Sequence, residues 1–293
     1  MYNILDVYKG VIFMKEKFFL ILKGIVLGIS FILPGVSGGV LSVVMGIYDK
    51  LIEAVSHFYE SWASFKKYFN FLFFLGIGGI ISVLVLTNVI EVALDKMPVI
   101  TILIFVGLIV GGVPQLFNII KKDVSFGNIL LMFIGIGLLV IMSVTTGGAS
   151  NQIIDTSFIS MLKMFGVGIL ASATIVIPGV SGSFLLMVMG YYEPLLKIIN
   201  EITSLTNLYN NVVVMIPFGI GLVIGAIVIA KLIDFCLNKY PIKTYYVIIG
   251  FVVASIIEVF MSVFEYSYTL MTMIIGLILM VMSAVIVYVF FEK

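Results

Sequence analysis

The sequence predicts an all-α polytopic membrane protein of two inverted-topology repeats, each a motif-bearing hairpin followed by three transmembrane helices. Three observations predict it. The 293 residues are 62% hydrophobic and 11% charged, with a mean hydropathy of +1.29. A soluble domain is about 45–50% apolar and about 25% charged, so this composition belongs to a bilayer protein. A long segment of the first half recurs in the second, and the lysines crowd onto one side of the spans that this repeat defines.

The repeat is read first. PGVSGGVLSVVMGIYDKL (34–51) aligns with PGVSGSFLLMVMGYYEPL (178–195), and eleven of the eighteen positions are identical. Downstream, residues 75–94 align with 218–237, residues 95–117 with 238–260, and residues 132–139 with 273–280. The chain therefore divides into repeat 1 (1–150) and repeat 2 (151–293). In order, repeat 1 holds a cytoplasmic lead-in, a motif hairpin over 18–55, and spans near 70–94, 98–117 and 128–147. Repeat 2 holds a motif hairpin over 161–198 and spans near 212–237, 241–262 and 269–291. The second arm of the first hairpin is read as one helix over 38–55. The segment HFYESWASFKKYF (57–69) is read as an amphipathic stretch lying on the membrane surface.

Lysine decides the topology. All sixteen basic residues are Lys. If each motif segment enters and leaves on one side, thirteen lysines fall on one face and three (Lys96, Lys163, Lys197) on the other. If each motif segment crosses once, the split is ten to six. The positive-inside rule favours the first arrangement. Both termini are then cytoplasmic, and an odd number of net crossings per half inverts the second half relative to the first. The arms of about 16 and 18 residues fit either re-entrant half-helices or short, strongly packed spans.

The motifs explain the hairpins. Non-helical backbone at membrane depth survives only where protein buries it or a cavity needs it. Pro34 and Pro178 disfavour helix at the residue before them. Gly35, Gly38 and Gly39, with Gly179 and Gly182, allow tight turns and close approach. Backbone N–H groups at the start of the following arm, with the hydroxyls of Ser37, Ser181 and Ser183, form a donor set suited to an anion. Two such turns meeting near the midplane match the general plan of secondary carriers.

Composition excludes other chemistry. His57, Cys236 and Trp62 are single and Arg is absent. No His/Cys metal cluster is possible, no lipid phosphatase built on Arg and paired His is possible, and no cofactor is expected. A net charge of +1 gives no reason to expect nucleic acid. A carrier of a small anion and a non-transporting binding or scaffold protein stay open on the residues alone.

The paired PGVSG(G/S) with the following VMG(I/Y)Y(D/E) resembles the bacterial polyprenyl-phosphate transporter family over essentially the whole chain. The resemblance implies a flippase that returns undecaprenyl phosphate from the outer to the inner leaflet of the cytoplasmic membrane during cell-wall assembly. It places the phosphate at Pro34, Gly35, Ser37, Gly38, Gly39, Pro178, Gly179, Ser181, Gly182 and Ser183. Ser183 departs from Gly39 and makes the two turns inequivalent.

Other residues are supporting candidates. Lys23 and Lys163 precede the two turns as point charges or as snorkelling helix-end lysines. Ser30 and Thr174 are repeat equivalents one turn before each Pro, placed to line the pocket or to bond back to their own helices. Tyr48–Asp49 and Tyr192–Glu193 close the hairpins as gates, proton sites or interfacial anchors. Glu258, whose repeat equivalent is Gln115, is a candidate coupling acid or a helix-end residue. Glu91 and Asp234 align with each other, and Asp234 is read as a helix-face partner of Lys231. Gly24, Gly28, Gly76, Gly78 and Gly79 are read as helix-packing positions.

Overall fold

The computed structural model describes residues 4–30, 36–121, 123–144, 152–180 and 182–291. Among them the chain is helical and forms no strand. Lipid leaves this choice, because a helix pairs its backbone groups within one segment.

Each half follows the same order. In the first, α1 (Ile4–Ile29) leads into the motif and α2 (Gly38–Val44) leaves it. Then come α3 (Tyr48–His57), α4 (Trp62–Ile81), a π-type turn over Ser82–Leu86, α5 (Thr87–Lys96), α6 (Pro98–Ile120) and α7 (Phe126–Val144). In the second, α8 (Phe158–Val176) and α9 (Gly182–Val188) flank the motif. They are followed by α10 (Tyr192–Thr203), α11 (Leu208–Lys239), α12 (Pro241–Met261) and α13 (Leu270–Phe291). Among the described residues six segments are long and apolar enough to cross a membrane: Trp62–Leu86, Pro98–Ile120, Phe158–Val176, Leu208–Lys239, Pro241–Glu265 and Leu270–Val289.

Two expectations are corrected. The arm over 38–55 is not one helix; it breaks after seven residues at Gly46, whose φ is +65°. Gly46 N–H donates to Val43 O and Ile47 N–H to Ser42 O. That pair of bonds is a Schellman ending, which needs a left-handed residue and so favours Gly. The second half repeats it at Gly190 (φ +74°), with Gly190 N–H to Met187 O and Tyr191 N–H to Leu186 O. The duplicated VMG carried this signal. The surface stretch over 57–69 is also revised. α3 ends at His57, and the first span starts at Trp62 rather than near residue 70. Ser61 Oγ caps it by accepting from Ser64 N–H. Trp62, Phe65, Phe69 and Phe73 then stack along one face of α4.

Small residues set the helix pairs. α1 packs on α4 where Gly24 meets Gly78 and Gly28 meets Ser82. α8 packs on α11 where Gly168 meets Phe218 and Leu222, and Gly225 meets Ser172. Without a hydrophobic force between helices in lipid, such close backbone approach supplies the packing. Gly76, expected among the packing positions, has nothing within 4 Å. Two further close pairs cross between halves: α6 with α13 through Gly107 and Gly111, and α12 with α7 through Gly250 and Gly135. Since α6 and α12 are equivalents, as are α7 and α13, the exchange is reciprocal. The largest apolar cluster joins Val36, Val40 and Leu41 of the first motif segment to Leu103, Ile109, Ile249 and Val252.

Candidate functional site

The two motifs touch. A methyl group placed on Gly39 would lie 2.8 Å from Pro178 Cα, so only Gly permits this approach. The second motif turns at Pro178–Gly179. Ile177 before it is extended (φ −85°, ψ 121°), as a residue preceding Pro must be, and Gly179 has φ +85°. Pro followed by a positive-φ Gly is the pattern of a type II turn. A methyl on Gly179 would meet Ser255 Oγ at 2.8 Å and Phe251 O at 3.1 Å, both on α12. The turn is thus held between the first motif and α12.

Ser37 precedes α2 in extended conformation and is 3% exposed. Among the described residues its Oγ has no hydrogen-bond partner. A buried hydroxyl normally has one, and losing it costs about 1–3 kcal/mol. Gly38 and Gly182 face equivalent hydroxyls: a methyl on Gly38 would lie 2.9 Å from Ser30 Oγ, and one on Gly182 3.1 Å from Thr174 Oγ1. Both hydroxyls also bond back to their own helices, Ser30 to Leu27 O at 2.6 Å and Thr174 to Ala171 O at 2.7 Å. Pro34, Gly35 and Ser181 lie outside the described residues, and of Ser183 and Glu91 only the backbone is described. The helices leaving the turns have seven residues each, about 10 Å. Their dipoles are small, so Ser37 and the local N–H groups are the donors of consequence.

The supporting candidates separate. Lys23 Nζ donates to Met45 O at 2.9 Å, at the far end of α2. Lys163 is exposed on α8 and lies near Asp155. Tyr48 is 3% exposed and donates to Val176 O at 3.0 Å, which ties the start of α3 to the last turn of α8. Asp49 accepts from Tyr245 Oη on α12. Tyr192 is half-buried and Glu193 exposed. Glu258 is half-buried in the last turn of α12, and Gln115 lies beside Gly46.

An ionic cluster, not legible in the sequence, joins the halves. His57 Nε2 is 3.0 Å from Asp234 Oδ2, and His57 Nδ1 is 3.0 Å from Glu60 Oε2. Lys231 Nζ is 3.1 Å from Glu60 Oε1. Asp234 and Lys231 therefore pair across the halves rather than with each other. Asp234 first and Glu60 second hold the His57 imidazolium above its ordinary value. The partners are 177 and 171 residues apart, a distance over which no sequence pattern reports. A cleft of about 590 Å³ adjoins the cluster, and Asp49, Lys50, Glu53, Lys67 and Asn238 line it. A second cleft, of about 690 Å³, lies at α10 and the start of α11. Asp155, Glu193, Lys197, Glu201 and Asn211 line it, and no turn residue does. Among the described residues no group of three His, Cys, Asp or Glu is placed to hold a metal.

Residues 27–274 match the family described as undecaprenyl phosphate translocase-like. The chain belongs to that family. It is 31% identical over 250 residues to the polyprenyl-phosphate transporter of Staphylococcus aureus, covering 83% of this chain and 86% of the relative. It is 27% identical over 247 residues to the polyprenyl-phosphate transporter of Vibrio cholerae, covering 80% and 75%. No solved structure matches. The chain is accordingly a bacterial multi-pass membrane protein of a transporter family, and not an enzyme.

Proposed function

We propose that this protein carries a polyprenyl monophosphate, undecaprenyl phosphate being the expected lipid, from the outer to the inner leaflet of the cytoplasmic membrane. The phosphate is held where the two motif turns meet, by Ser37, Gly38 and Gly39 of the first and by Pro178, Gly179, Ser181, Gly182 and Ser183 of the second, with Pro34 and Gly35 shaping the entry. The observation that carries the reading is the contact of Gly39 with Pro178 beside a buried Ser37 hydroxyl that has no partner among the described residues. A small polar pocket suits a monophosphate, and the prenyl chain needs only a lipid-facing opening.

Inverted repeats and alternating access belong to the same reading. Glu60, just before α4, pairs with Lys231 near the end of α11, the repeat equivalent of α4. Tyr246 near the start of α12 donates to Asp123 O just past the end of α6. Equivalent helices thus run in opposite directions at both contacts, which supports inversion and agrees with the lysine count. Lys23 beside Met45 supports a first hairpin whose arms lie side by side and open to the cytoplasm. On this topology both termini are cytoplasmic, the His57 cluster lies on the cytoplasmic side, and the larger cleft opens to the outside. Proton coupling through Glu258 is the remaining part. If transport proves indifferent to imposed gradients, that part is removed.

The test is reconstitution. Purified protein in liposomes should move a fluorescent short-chain polyprenyl phosphate between leaflets, and Gly39→Val should not. A soluble-anion carrier is the rival reading; it would move inorganic phosphate, and prenyl phosphate would not compete. Failure of the protein to move or bind any prenyl phosphate would sink the proposal.

A further inference from the structure

We propose that Ser255 of α12, outside both motifs, is a third hydroxyl ligand of the phosphomonoester headgroup; this rests on the headgroup site proposed above. Ser255 is 1% exposed, and among the described residues its Oγ has no hydrogen-bond partner. Other buried hydroxyls in this chain show that this is unusual. Ser42, Ser56, Ser172 and Thr101 each bond back to a carbonyl three or four residues earlier, at 2.6–2.8 Å. A helix always offers that outlet, and Ser283 takes it too. Ser255 does not take it. Its side chain instead lies against Gly179, the positive-φ residue of the second motif turn.

Its surroundings are otherwise apolar. Leu139, Val180 and Ala254 form the buried cluster around the turn, with Ile177 and Phe251 packed on it. Pro178, the other turn residue, is the one that Gly39 of the first motif touches. Ser37 and Ser255, both buried and both lacking partners, therefore flank the place where the motifs meet. A phosphomonoester with two or three acceptor oxygens matches such a pair of donors.

The repeat sharpens the assignment. The equivalent of Ser255 is Gly112, and a side chain there is excluded because Val44 of α2 sits directly against it. The first half spends this position on seating its short helix. Among the described residues of the second half α9 makes no comparable contact with α12, and the position carries a hydroxyl facing the turn. Ser82, the third buried hydroxyl without a partner, lies against Gly28 in the α1–α4 packing and serves as the control.

The experiment is binding of farnesyl monophosphate, farnesol and inorganic phosphate to the purified full chain, with thermal unfolding of each variant in the absence of ligand. Ser255→Ala should weaken farnesyl monophosphate binding by about tenfold, as loss of one hydrogen bond to a charged group implies. It should leave farnesol binding unchanged and the unliganded melting temperature unchanged or raised, because an unpaired buried hydroxyl is removed. Ser255→Cys, which keeps the volume, should weaken binding as well. Ser82→Ala should leave binding at the wild-type value. If wild-type protein binds farnesyl monophosphate and Ser255→Ala binds it equally well, the inference is wrong while the transporter reading stands. A drop in unliganded melting temperature with unchanged affinity also overturns it, since Ser255 is then structural. If inorganic phosphate alone binds the wild-type protein, the lipid reading itself fails.

Discussion

The segment α2–α3 and the segment α9–α10 share a sequence pattern and a helix ending but not their surroundings. In the first, Val40, Leu41, Val43 and Val44 are all buried, α2 seats on α6, and α3 is tied to α11 by His57 and Asp234. In the second, Met187 is 48% exposed, and α9 and α10 touch each other and the neighbouring helices α8 and α11 of their own half. Local chemistry fixes the broken arm in both copies, since each has its Gly at the left-handed position. Docking is a separate matter that tertiary contacts decide. On the proposed cycle the halves exchange these two arrangements, as inverted repeats can.

The largest effect should come from breaking the point where the hairpins touch. Gly39→Val forces a branched side chain into the backbone of Pro178, and overpacking of this kind costs about 1–3 kcal/mol. Transport in liposomes should fall by at least about tenfold. Gly76→Val, in open space on α4, should leave transport unchanged.

Tyr48→Phe comes next. It leaves the buried carbonyl of Val176 without its donor, at a cost of about 1–3 kcal/mol. Thermal unfolding should show the loss, and Tyr192→Phe, at a half-buried position, should show less. Equal costs would mean that the second hairpin is latched as firmly as the first. Gly46→Ala and Gly190→Ala should each cost about 1–2 kcal/mol through left-handed strain. Here the two halves are expected to match, because the strain is local.

The smallest effect is pH dependence of the ionic cluster, in which exposed pairs are worth about 0–1 kcal/mol. His57 faces Glu53, Glu60 and Asp234, and Lys231 shares Glu60 with it. Its folded-state value is raised above 6.5, so the tie is fully present below pH 6.5 and is lost as pH rises through the folded value. A cysteine placed at Asn238, with Cys236 replaced, should be labelled faster as pH rises across that window. His57→Ala should abolish the trend. A cluster that holds equally at high and low pH would show that the carboxylates and Lys231 suffice.

By itself the sequence determined the membrane class, the two repeats and the turn-forming motifs. These follow from local rules: bilayer thickness sets span length, and Pro and Gly restrict or free the backbone. It also held the break at Gly46 and Gly190 in its duplicated VMG, although an 18-residue arm was the simpler reading of apolar length. Only the tertiary structure decided that Gly39 meets Pro178, that Tyr48 reaches Val176, and that Asp234 and Lys231 find His57 and Glu60. It also decided that Ser255 faces the second turn. Such pairings depend on how helices from different halves lie against each other. In an almost wholly apolar chain many residues satisfy lipid and packing alike, so periodicity does not choose among them. Backbone approach at particular glycines does, and that is a property of the folded pair of helices.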